Sequence, residues 1–83
     1  MKKRTEYRIT YITELNGEEQ NALVNSDEEL RRITDQMIAK GYYIKIVTEW
    51  NNAQNRFMQY KKNYLALYNS RESGNNYIKM LMQ

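Results

Sequence analysis

The sequence predicts a small α+β domain: an antiparallel sheet in β-hairpin–helix–strand (ββαβ) order, followed by a C-terminal amphipathic helix. Three observations predict it. Asn16-Gly17 sits between two short apolar-rich runs and is a preferred hairpin turn pair. "SDEELRRITDQMIAKG" carries helix start and stop signals around one apolar stripe. "YYIKIVTEW" alternates with the period of a strand. A chain of 83 residues has room for one such domain. It divides into a basic arm at 1–5, a ββαβ core at 6–50 and a basic, aromatic C-terminal segment at 51–83.

The hairpin comes first. A two-residue type I′ turn at Asn16-Gly17 sets Leu15 opposite Glu18, Thr13 opposite Gln20, Tyr11 opposite Ala22 and Ile9 opposite Val24. Cross-strand partners share a face, so Tyr7, Ile9, Tyr11, Ala22 and Val24 make a core face. The opposite face receives Arg8, Thr10, Ile12, Leu23, Glu14 and Glu19.

The helix is predicted over about 27–39. Ser26 and Glu29 have capping-box spacing. Asp27, Glu28 and Glu29 occupy the first turn, where the helix dipole favours anions. Leu30, Ile33, Met37 and Ile38 lie on one stripe, and Gly41 stands where a left-handed C-terminal cap belongs.

In the third strand, strict alternation puts Tyr42, Ile44, Ile46, Thr48 and Trp50 toward the core. Tyr43, Lys45, Val47 and Glu49 then point the other way. The last third reads two ways. As a helix from about 53 to 69, it aligns Ala53, Phe57, Tyr60, Tyr64 and Leu67. As strands, "RFMQY" and "YLALY" have high β propensity. The helical period fits more of the apolar positions and is preferred. "YIKMLMQ" is a short apolar end, helix or strand.

Charge is uneven along the chain, although the net is only +3. Lys2, Lys3 and Arg4 open it; residues 5–50 hold nine acids against five bases; residues 51–83 hold five bases against one acid. The absence of Cys excludes disulfides and thiolate chemistry, and the absence of His excludes an imidazole base or ligand. The acids have structural readings as turn and first-turn residues, and they lack the spacing of a metal loop. The three glycines form no phosphate-binding loop. The chain is therefore read as non-catalytic, with no cofactor and no metal. No apolar run approaches the roughly 18–20 residues of a membrane span, so a cytoplasmic protein without membrane contact is expected.

The second face of the sheet is the feature that points to function. By this reading it collects Ile12, Leu23, Tyr43 and Val47, where an antiparallel sheet with one wet face would be polar. Either the C-terminal segment folds back over it or another chain covers it, as a homodimer or as a bound target. Tyr, Trp, Met and Arg dominate interface energetics, and this chain has eight Tyr and five Met. The candidate partner-binding residues are Tyr43, Lys45, Arg56, Tyr60, Lys61, Lys62, Tyr64 and Tyr68. Glu14, Glu18, Glu19, Asp27 and Glu28 form a candidate acidic patch suited to a basic, nucleic-acid-binding groove on a target. In length, composition and element order the chain resembles the short accessory proteins of phages and other mobile elements. That resemblance implies a protein that binds and inhibits a host protein such as a defence nuclease. The alternative is a small nucleic-acid-binding regulator, with basic side chains on phosphates and tyrosines stacked on bases.

Overall fold

The computed structural model describes residues 3–60 and 69–82. It is an α+β fold: β1 (Tyr7–Ile12), β2 (Gln20–Val24), α1 (Asp27–Ala39), β3 (Tyr43–Asn51), β4 (Arg56–Gln59), a π-helical turn (Asn69–Ser73) and α2 (Gly74–Leu81). The four strands form one antiparallel sheet in the order β2-β1-β3-β4. α1 packs on one face. Tyr7, Ile9, Val24, Leu30, Met37, Ile38, Ile44 and Val47 form the core between helix and sheet.

The hairpin register differs from the tight-turn expectation by two residues. Ile9 pairs with Ala22 and Tyr11 with Gln20, so residues 13–19 form a longer loop. Within it the Gly17 amide donates to the Glu14 carbonyl at 3.1 Å, closing a turn in which Asn16, with φ 65°, is the residue at positive φ. Gly17 is selected by space: a Cβ there would lie 2.9 Å from Glu14 Cγ and 3.0 Å from the Glu14 carbonyl oxygen. A slip of two preserves the side-chain period, so the predicted core face survives.

α1 spans the residues its signals predict. The Ser26 side chain accepts from the Glu29 amide at 3.1 Å. At the other end Gly41, at φ +86°, donates to the Ile38 carbonyl while the Tyr42 amide donates to the Met37 carbonyl, a Schellman closure. Thr34, fully buried on the core stripe, returns its hydroxyl to the carbonyls of Leu30 and Arg31.

β3 corrects the alternation argument. Thr10 pairs with Ile46 but Tyr11 pairs with Ile44, so Lys45 is an extra residue and the strand carries a β-bulge. Past the bulge every side chain changes face. Val47 joins the core with Ile44, whereas Ile46, Thr48 and Trp50 pass to the sheet's second face.

The preferred helix over about 53–69 is corrected over its first part, and its residues 61–68 lie outside the described residues. Asn51 pairs with Arg56 and Trp50 with Phe57, so "RFMQ" is a strand. Asn51 Oδ1 accepts from the Gln54 amide at 3.0 Å and Asn55 takes φ 51°, which turns the chain into a hairpin. The C-terminal helix is "GNNYIKML", anchored by two buried polar residues. Ser73 Oγ accepts from the Ile44 amide at 2.7 Å and donates to the Ile44 carbonyl at 3.0 Å. It thereby fills the β3 edge beyond the end of β4. The Asn76 amide donates to the carbonyls of Ile38 at 3.0 Å and Tyr42 at 2.8 Å, tying α2 to the end of α1.

Candidate functional site: the second face and edges of the sheet

Side chains on the second face follow from the ladder. Leu23, Arg8, Thr48 and Gln59 form one cross-strand row; Asn21, Thr10 and Ile46 form the next; Ile12 and Tyr43 lie at the loop end. Trp50 and Phe57 are paired at the opposite end. Ile12 is buried and Tyr43 half-buried, while Leu23 is 59% and Ile46 39% exposed. Val47 belongs to the core instead of this face, and Ile46 takes its place. The signal for this was in the sequence. Ile46 and Val47 are adjacent apolar residues in a strand that otherwise alternates, which is the pattern that a bulge produces.

The Trp50 end is an arginine–aromatic cluster. The Trp50 and Phe57 rings meet edge-on, with centroids 5.3 Å apart. The Arg4 guanidinium lies 3.9 Å from the Trp50 centroid, and the Arg8 guanidinium 4.6 Å from that of Phe57. Each such contact favours the cation through the ring quadrupole. Arg4 is further held by a salt bridge to Glu6 and by a two-way bond with Asn52: its amide donates to Oδ1 at 2.9 Å and its carbonyl accepts from Nδ2 at 2.8 Å. The Trp50 amide donates to the Glu6 carbonyl, so residues 4–6 extend β1 alongside β3. Arg8 Nε is buried, with no hydrogen-bond partner among the described residues.

At the loop end, the rings of Tyr43 and Tyr77 pack at 4.9 Å. α2 adds exposed apolar surface there: Ile78 and Leu81 are each 54% exposed and Met82 80%. A cleft of about 520 Å³ opens below α2, lined among others by Glu14, Lys40, Glu72 and Lys79. Its acids and bases balance, so it presents no single sign of charge.

Among the described residues, the predicted site residues do not form one patch. Lys45 and Glu19 form a salt bridge with each other, and the hydrogen bond to Glu19 raises the Lys45 pKa. Asp27 Oδ1 accepts from the Tyr7 hydroxyl at 2.9 Å and from the Tyr60 hydroxyl at 3.1 Å, with the two rings edge-to-face. Asp27 and Tyr60 are thus engaged internally, joining the start of α1 to β1 and the end of β4. Burial, and next the Asp27 hydrogen bond, push the Tyr7 pKa up to about 12. Glu14, Glu18 and Glu19 lie in the β1–β2 loop, whereas Asp27 and Glu28 lie beyond the far end of β2, so the acidic patch is split in two. Arg56 is exposed in the β3–β4 hairpin, its Nε donating to Gln54 at 3.0 Å. Lys61, Lys62, Tyr64 and Tyr68 lie outside the described residues. Among the described residues, no group of three or more Asp or Glu side chains could hold a metal ion. No helix among them is long and apolar enough to cross a membrane.

Compared with known proteins, the chain matches no family model, no curated protein and no solved structure.

Proposed function

We propose that this chain is a small non-catalytic protein-binding module, of the kind that phage and mobile-element accessory proteins use to occupy and inhibit a host protein such as a defence nuclease. One observation carries the reading: the sheet buries one face under α1 and leaves Leu23 and Ile46 in solvent on the other. Exposed apolar groups beside Trp50, Phe57, Tyr43 and Tyr77 have the composition of an interface core, aromatic with arginine at its rim. Capture from the presumed host with tagged protein tests it. Wild-type chain should retain one dominant protein, and Ile46→Asp should lose it while melting normally. Equal retention by Ile46→Asp removes the open face from the reading.

The arginine–aromatic cluster favours a second reading, a nucleic-acid-binding regulator in which Arg4, Arg8 and Arg56 meet phosphates. The two readings separate by salt. A nucleic-acid binder loses affinity for DNA or RNA steeply between about 50 and 200 mM salt through counterion release. Absence of binding at low salt eliminates this second reading.

A further inference from the structure

Backbone direction identifies a second open surface. In an antiparallel ladder, a residue's amide and carbonyl point to one side, and successive residues alternate. The Trp50 amide bonds the Glu6 carbonyl, so Glu6, Arg8 and Thr10 address β3 and Tyr7, Ile9 and Tyr11 address β2. Ile44 agrees: opposite Tyr11, it turns both of its groups away from β1 to Ser73. On β2, Val24, Ala22 and Gln20 therefore face inward. Asn21 and Leu23 present their amides and carbonyls at the sheet's edge, where no strand is paired with them among the described residues.

Edge strands are normally guarded by charge, proline, bulges or shortness. β4 is four residues long and begins with Arg56. β2 has five residues, "QNALV", with no charge and no proline, and its pairing with β1 is regular. Acids flank this neutral strand in sequence, and with Glu19 held by Lys45 and Asp27 by the Tyr7 and Tyr60 hydroxyls, Glu18 before it and Glu28 after it are the flanking charges. Glu18 and Glu28 are exposed. A second copy of the same strand would bring those acids together in either direction of pairing, whereas a strand with basic ends would complement them.

We infer that the β2 edge takes up an extended segment of a partner protein, neutral in the middle and basic at its ends, as an added strand. Main-chain bonds to Asn21 and Leu23 supply the affinity, and the flanking acids select the charge. A segment of about seven residues, at roughly 3.3 Å each, covers the five residues of β2 and sets one long basic side chain beyond each end, toward the flanking acids. This inference rests on the protein-binding reading and specifies the partner's chemistry.

The probe is a fluorescein-labelled heptapeptide of alternating Thr and Val with Lys at both ends, titrated with the full chain at low salt and followed by anisotropy. It should bind. The same peptide with Glu at both ends should bind on the order of tenfold more weakly, the effect expected of two exposed ion pairs. N-methylation of alternate amides should abolish binding. Leu23→Pro removes an outward donor at a position where edge strands tolerate proline, and should abolish binding too. Should that variant fail to fold, Asn21→Lys places a guarding cation on the same edge and should weaken the Lys-ended peptide at least as much. Ile46→Asp, on the open face, should leave peptide binding unchanged. Equal binding of Lys-ended and Glu-ended peptides, or retention by Asn21→Lys, overturns the proposal. A wild-type dimer in light scattering that Asn21→Lys converts to monomer also overturns it, since the occupant is then a second copy. A captured host protein that both edge variants retain overturns the edge proposal and leaves the protein-binding reading standing. A chain that captures no protein but binds nucleic acid with steep salt dependence overturns both.

Discussion

At the scale of the residue, single side chains take roles set by their immediate surroundings. Gly41 sits at φ +86° with open space around the position of a Cβ. The cost of Gly41→Ala is therefore conformational, about 1–2 kcal/mol, and Gly41→Asn should recover part of it. Urea unfolding of the three proteins measures this; equal midpoints would mean that the Schellman closure is not limiting. Tyr7 gives a pH dependence. Its folded pKa of about 12 lies above the value near 10 of a free phenol. Its contribution is thus fully present below pH 10 and is lost as pH rises toward 12. Unfolding free energy should fall on the order of 2–3 kcal/mol across that window, and Tyr7→Phe should flatten the decline. An unchanged slope in Tyr7→Phe would assign the alkaline loss to other groups. The Asp27–Tyr7–Tyr60 cluster could not be foreseen from the sequence, because its members are 20 and 33 positions apart.

At the scale of the element, legibility tracks how local the determining interactions are. α1 was fully legible: Ser26, Glu29 and Gly41 cap it through bonds within five residues, and its stripe is its own. The hairpin was legible in its faces but not its register, because the register is fixed by how residues 13–19 fold and not by the Asn16-Gly17 pair alone. β3 was legible as a strand, but its second half was assigned to the wrong face for want of the bulge at Lys45. β4 was obscured because Phe57 and Tyr60 satisfy a helical spacing equally well; the Trp50–Phe57 pairing that decides the matter is tertiary. α2 depends on two polar anchors. Ser73→Ala removes the partner of the Ile44 amide and carbonyl, and Asn76→Ala takes the Asn76 donor from the Tyr42 carbonyl and leaves the Ile38 carbonyl with its bond from the Gly41 amide. Each should cost about 1–3 kcal/mol. Hydrogen exchange should show α2 losing protection before α1 in Asn76→Ala; simultaneous loss would mean that α2 unfolds only with the whole domain.

At the scale of the whole molecule, the sheet packs one face against α1, and its second face keeps Leu23 and Ile46 partly exposed beside a buried Ile12 and Thr48. Leu23→Ser with Ile46→Ser removes apolar surface that the domain leaves partly exposed, 59% at Leu23 and 39% at Ile46. Stability should fall by no more than about 1–2 kcal/mol. Partner binding should weaken, and isothermal titration should show a less negative heat-capacity change. A large loss of stability would instead place these side chains in the folding core. The bulge gives this architecture a particular evolutionary lever. Because Lys45 is the surplus residue, a one-codon deletion there would straighten the ladder and keep Val47 inward and Trp50 outward, whereas a one-codon deletion beyond the bulge, at Thr48, would carry Glu49 outward and Trp50 inward. Point substitutions can only retune such a surface one group at a time; insertion or loss of a single codon can recast it in one step.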